Sequence, residues 1–319
     1  MEETKIHTAL SDLLGIEFPI IQGAMAHISN GTFAAAVSEA GGLGIIASAA
    51  QDADFVRKEV RAARERTKRP FGVSIVLNNP HCRAIVDVIL EEGVAVVTTG
   101  AGNPEPYVKD LLSGGCKILS VVPHVHAALK VEALGVTAVV AEGEESGGHI
   151  GTVSTMTLVP LVAEALRIPV IAAGGIADGR GFLAALAMGA VGVQMGTAFL
   201  ATKECPVHPA FKEKVLAAKE TDSVVTCANT RNATRCIRNS LTDSYFEGLR
   251  RHLDEAELLK PLTGSLLRAV EGDVTNGSIQ AGQIAGMLHE IKTVRQVMED
   301  VMAGAERALQ KVKALERAC

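Results

Sequence analysis

Tryptophan is absent from the 319 residues, and aromatic side chains make up only 3%. That leaves little material for base-stacking platforms or for the aromatic belts of membrane interfaces. No basic excess exists either: the formal net charge is −5. A nucleic-acid binder needs a basic face to neutralise phosphates, so that class is set aside. No apolar run approaches the ~18 residues of a membrane span. The opening stretch, MEETKIHTAL, lacks a basic start followed by an apolar segment, so no signal peptide is read and a cytoplasmic location is expected. The six cysteines (Cys82, Cys116, Cys205, Cys227, Cys236 and Cys319) form no CxxC pair and no His/Cys cluster with zinc spacing. They are expected to be free thiols, and no metal site is read. P-loop, GxSxG and HExxH motifs are also missing.

Ala, Val, Ile and Leu dominate the 48% hydrophobic content. Short β-branched runs recur along the chain: Pro19–Ala24, Leu43–Ser48, Phe71–Leu77, Val94–Gly100, Lys117–Val122, Ala138–Gly143, Pro169–Gly175 and Gly192–Phe199. Each is mostly apolar rather than alternating, as a strand buried on both faces must be. Amphipathic patterns lie between them, for example Asp54–Thr67 and Val125–Leu134. Eight βα units at near-uniform spacing predict an α/β fold, a (β/α)₈ TIM barrel. The segment from about 202 to 281 breaks the rhythm; it is more charged and mostly helical in pattern. The expected organisation is a barrel core over 1–201, a helical insertion over 202–281 covering the active site, and C-terminal helices over 282–319, with a helix at Ile291–Leu315.

In such a barrel the loops after the strand C-ends build the active site. Gly174-Gly175 after the seventh strand and Gly196-Thr197 after the eighth expose backbone N–H groups beside helix starts. Glycines also serve tight turns, but their presence in both loops favours a phosphate cradle and a phosphorylated ligand such as FMN. His149 sits in a glycine-flanked loop after the sixth strand and can move a proton near neutral pH. Position alone leaves a surface histidine equally open. Glu144-Glu145 is read as a solvated pair. Gly42 and Gly44 match a loose GxGxxA pattern, but they precede a strand, so Gly41-Gly42 is read as a helix C-cap rather than a dinucleotide site.

These motifs together resemble a known family. Pro19-Ile-Ile-Gln-Gly-Ala-Met25, Ala40-Gly-Gly-Leu-Gly-Ile-Ile46, Ser146-Gly-Gly-His-Ile-Gly151, Ala172-Ala-Gly-Gly-Ile-Ala-Asp-Gly179 and Met195-Gly-Thr197 are similar to the nitronate monooxygenase / 2-nitropropane dioxygenase superfamily of FMN barrels. Within it, Val97-Thr-Thr-Gly-Ala-Gly-Asn-Pro104, Val139-Val-Ala-Glu-Gly143 and Ala281-Gly-Gln-Ile-Ala-Gly286 resemble flavin-dependent enoyl-[acyl-carrier-protein] reductase II. Gly179-Arg-Gly181 and Phe199–Pro209 look as much like nitronate monooxygenases. The resemblance implies FMN, NADH or NADPH as reductant, a monovalent cation, and a homodimer acting on a small-molecule or carrier-bound substrate. It makes His149 the active-site histidine. It places Gly23, Ala24, Met25, Ser74, Glu142, Gly148, Ala173, Gly174, Gly175, Gln194, Met195, Gly196 and Thr197 at the cofactor, and Gln280 at the substrate. Ser74 replaces the family's usual Asn, and Gln280 replaces the reductase's Met. Two activities follow as expectations: reduction of trans-2-enoyl thioesters in fatty acid biosynthesis, or oxidation of nitronates by O₂. A non-catalytic flavin- or phosphate-binding barrel is the third.

Overall fold

The computed structural model describes residues 6–228 and 230–315. Cys319, expected as a free thiol, and the first five residues of the opening stretch lie outside them. Eight parallel strands form one sheet: β1 (Ile20–Gln22), β2 (Gly44–Ala47), β3 (Phe71–Val76), β4 (Val96–Gly100), β5 (Lys117–Val122), β6 (Ala138–Glu142), β8 (Val170–Ala173) and β9 (Gly192–Met195). A two-residue strand, β7 (Gly148–His149), falls between β6 and β8 and belongs to a separate sheet. The strand order is β1-β9-β8-β6-β5-β4-β3-β2. The two ends meet where Gln22 N–H donates to Leu43 O (2.9 Å) and Leu43 N–H to Ile20 O (3.0 Å). Eight strands in a nearly closed barrel, with helices between, are the TIM barrel that the recurring apolar runs predict.

Alternation along each strand sorts side chains into two packed layers. Ile21, Leu43, Ile45, Val96, Leu119, Val140 and Ile171 fill the barrel interior. Their neighbours, such as Ile20, Ile46, Val73, Val97, Ile118, Val139 and Val193, pack outward against the helices. Truncating a fully buried residue such as Ile45 to Ala removes about 2–5 kcal/mol of stability. The helix Ala9–Leu14 plugs the N-terminal end of the barrel, inserting Leu10 and Leu14 among the inner side chains. Its sequence sets both ends. Thr8 accepts a hydrogen bond from Leu10 N–H, and Gly15 takes the left-handed conformation that stops the helix. Lys117 Nζ, at the start of β5, donates to Leu13 O at 2.5 Å.

Gly41 has φ +99°, directly after the helix Gly31–Glu39 and its cap Ala40, as a C-terminal stop requires. Gly44 is needed for a different reason. A Cβ there would sit 1.9 Å from Ala34 O, so only glycine lets that helix lie this close to β2.

Beyond β9 the chain runs through helices at Pro209–Leu216, Ser240–Arg250, Glu255–Leu259 and Ser265–Val270. Between the first two lies an antiparallel pair, β10 (Ser223–Thr226) and β11 (Thr234–Ile237). β11 also pairs with β7, setting Thr234 opposite His149 and Arg235 opposite Gly148. This segment therefore joins the loop after β6 through a small sheet, which its helical sequence pattern does not announce. The last helix, Val294–Leu315, packs on Gly179–Ala187, where a Cβ at Gly179 would lie 2.0 Å from Ala305 N. Cys82, Cys116, Cys205, Cys227 and Cys236 are buried free thiols. Among the described residues no helix is long and apolar enough to cross a membrane, and no group of three metal-ligating side chains occurs.

Candidate active site

A cleft opens at the C-terminal ends of β1, β6, β8 and β9 and encloses about 620 Å³ of atom-free space, part of it open to solvent. Gly23, Ala24 and Met25 from the loop after β1 form one wall. Ala173, Gly174 and Gly175 form a second, and Gln194, Met195, Gly196 and Thr197 a third. Glu142 closes the end of β6, and Gln280 reaches in from the segment beyond the inserted helices. Twelve of the residues expected at cofactor and substrate thus share one cleft.

Three others lie outside its wall. Ser74 is buried on β3, paired with Thr98. Gly148 is buried on β7 with φ +79°; a Cβ there would lie 3.1 Å from Gln280 Oε1, so it sits directly behind the cleft. His149 follows on β7 with an exposed side chain, although surrounding protein atoms still hold its imidazole below the ordinary histidine value by desolvation.

Local networks give the walls their shape. The side chain of buried Gln22 spans three partners. It donates to Gly23 O and to Ser29 Oγ (2.9 Å), and its Oε1 accepts from Ile45 N–H (3.2 Å). Ser29 Oγ in turn accepts from Met25 N–H at 3.0 Å. Gln22 therefore fixes the loop that carries Gly23, Ala24 and Met25. Glu145 corrects the expectation of a solvated carboxylate pair. Its carboxylate accepts from Thr155 N–H (2.9 Å) and Thr155 Oγ1 (2.7 Å) and lines the cleft. It caps the helix Thr155–Ala165, whose own N-cap residue Ser154 makes no side-chain cap bond, and the positive end of that helix favours a carboxylate. Glu144 is held differently: buried Arg235 on β11 donates from Nε to Glu144 O at 2.9 Å and from Nη1 to Ser223 Oγ at 2.9 Å. Thr197 Oγ1 accepts from Gly282 N–H at 2.8 Å, tying the Gln280–Ile284 segment to the loop after β9.

Glu142 is the electrostatic anomaly. Burial pushes its carboxyl up to about 7, and the Ser146 hydroxyl nearby opposes that rise only in part. Ser146 Oγ approaches the carboxyl without reaching hydrogen-bond geometry and is itself buried with no partner.

The family model for nitronate monooxygenase matches residues 7–85 and 81–304. The chain belongs to the nitronate monooxygenase family. It is a flavin-dependent oxidoreductase. FabK from Thermotoga maritima is 46% identical, with a TM-score of 0.94, over 97% of this chain and 99% of that one. The nitroalkane oxidase from Streptomyces ansochromogenes is 29% identical, with a TM-score of 0.84, over 96% of this chain and all of that one, 100%. A Mycobacterium tuberculosis protein named (3aS,4S,5R,7aS)-5-hydroxy-7a-methyl-1-oxo-octahydro-1H-indene-4-carboxyl-CoA dehydrogenase is 32% identical over 98% of this chain and 99% of its own length.

The cleft suits the flavin that this family uses. A Cβ at Gly196 would meet nothing closer than Met25 Sδ at 3.8 Å, so the position leaves open a cradle that any side chain would fill. The short helix Thr197–Leu200 starts on Gly196 without a side-chain cap, leaving its first N–H groups to another acceptor. Buried Ser146 Oγ waits for a polar partner. Glu145, Ser146 and Gly147, with Ile176, Leu200 and Ile284, complete the lining and were not assigned to the site from sequence.

Proposed function

We propose that the chain is an FMN-dependent reductase of trans-2-enoyl thioesters, with NADH or NADPH as reductant and an acyl carrier protein or a related thioester as carrier. The observation that carries this reading is the 46% identity with FabK over nearly the whole of both chains, against 29% with the nitroalkane oxidase. Backbone groups of Gly174, Gly175, Gly196 and Thr197 would hold the phosphate. Gly23, Ala24, Met25, Ala173, Gln194, Met195 and Glu142 would seat the remainder, with Gly148 behind the wall and Ser74 buried on β3 outside it, and Gln280 would border the substrate.

FMN, when bound, supplies the two-electron chemistry between nicotinamide and substrate. The protein's own groups do the rest. The His149 imidazole, shifted below its ordinary value by desolvation, would donate a hydrogen bond from its N–H to a thioester oxygen as negative charge gathers there. Ile176, Leu200 and Ile284 give the cleft apolar surface that excludes water. The resemblance extends the proposal to a homodimer, a cytoplasmic location and a monovalent cation.

A second reading is nitronate oxidation by O₂, favoured by the family model and by relatives such as the probable nitronate monooxygenase of Staphylococcus saprophyticus, 33% identical over 76% of this chain. Steady-state assays with crotonyl thioester plus NADH or NADPH, run beside propionate 3-nitronate plus O₂, separate the two. The expected result is nicotinamide oxidation that depends on the thioester. Turnover of the nitronate alone rejects the reductase.

A further inference from the structure

The cleft proposed for FMN receives an anion, yet no Lys, Arg or His lines it among the described residues. Two carboxyls do. Glu145 is fully engaged as an acceptor from Thr155. Glu142 is different: it ends β6, pairs in register with Ala173 and through it neighbours Gln194, and finds no cation in the wall. Arg235, the buried cation behind the loop, is committed to Glu144 O and Ser223 Oγ and does not line the cleft. The walls from β1, β8 and β9 and the Gln280–Ile284 segment contribute no charged group. A carboxylate and a phosphate dianion sharing one half-buried space without a counter-charge repel each other, and proton uptake by the carboxyl is the cheapest relief.

We propose that Glu142 holds the flavin as a neutral carboxylic acid, donating a hydrogen bond to an acceptor atom of the cofactor, so that cofactor retention weakens as the carboxyl ionises. The inference rests on the FMN reading above. Burial already places the carboxyl near neutrality before any anion enters, and a bound phosphate raises it further. Linkage then fixes the sign. Below its ionisation the carboxyl is already protonated and binding takes up no proton. Above it one proton is taken up per FMN, and affinity falls by up to about tenfold per pH unit.

The test is fluorescence titration of the deflavinated full chain with FMN between about pH 6.5 and 8.5, where the phosphate itself is mostly dianionic. Wild type should show a dissociation constant rising about tenfold between pH 7.5 and 8.5. Glu142→Gln, which keeps a donor and cannot ionise, should change less than about twofold and bind more tightly than wild type at pH 8.5. Equal slopes in the two proteins, or a flat wild-type profile, overturn the inference while leaving the flavin site intact. No FMN binding by wild type at pH 6.5 brings down both. If the Gln variant does not fold, calorimetry on wild type at pH 8.5 in buffers of different ionisation enthalpy decides: about one proton taken up per FMN supports the inference, and none refutes it.

Discussion

Gly196→Ala separates the stability of the fold from the capacity of the cleft. Gly196 has φ −113°, a conformation open to any L-residue, and its added methyl would meet only Met25 Sδ at 3.8 Å. The substitution removes backbone freedom from the unfolded chain and introduces no clash, so stability should hold or rise by ~0.4–1 kcal/mol. The same methyl projects into the cradle proposed for the phosphate. Overfilling a fitted site costs about 1–3 kcal/mol, which corresponds to about a 5- to 150-fold loss of FMN affinity. Gly174→Ala supplies the contrast. Its φ is +91°, and the methyl would lie 2.9 Å from Gly143 O and 3.0 Å from Thr155 Oγ1. Left-handed strain of roughly 1–2 kcal/mol plus that clash should lower stability itself. Urea unfolding monitored by circular dichroism, beside FMN fluorescence titration, reads both quantities. Wild-type FMN affinity in Gly196→Ala would remove the phosphate from this loop; a stability loss equal to that of Gly174→Ala would refute the conformational reasoning.

Three further outcomes follow from the site. His149→Ala should retain FMN and lose turnover by about 10²–10⁴-fold, measured as kcat with crotonyl thioester; unchanged kcat removes the imidazole from the reaction. Glu145→Ala deletes the acceptor for Thr155 N–H and Oγ1, and urea unfolding should register a loss of ~0.5–2 kcal/mol, as for a lost helix cap. Glu142 has an ordinary carboxyl value of 4.5 raised to about 7 in the fold, so the unfolded chain binds fewer protons between those values and stability falls as pH rises through that window. Glu142→Gln should therefore be more stable than wild type at pH 8, by on the order of 1–3 kcal/mol, with the gain absent at pH 4; an equal gain at both would assign it to packing.

The barrel is legible in the sequence because strands covered on both faces must be apolar throughout. Lys117–Val122 matches its predicted limits, and Phe71–Leu77 overshoots by one residue. The glycine loops are legible for a related reason: Gly174 and Gly175, with φ +91° and +71°, occupy conformations other residues rarely adopt. The small sheet is not legible. β7 is two residues long, and only pairing with Thr234 and Arg235, far along the chain, makes it a strand. Glu145 was hidden likewise, since Thr155, its partner, lies ten residues on, across a turn whose shape local sequence does not dictate. Whether a loop carboxylate meets solvent or caps a helix is a tertiary outcome.

The central claim is that this cleft passes electrons from nicotinamide through a bound flavin to an enoyl thioester. Anaerobic stopped-flow absorbance tests it most directly: NADH or NADPH should bleach the yellow protein, and crotonyl thioester mixed in afterwards should restore the colour without O₂. A bleached protein that ignores the thioester and regains colour only on admitting O₂ would contradict the account.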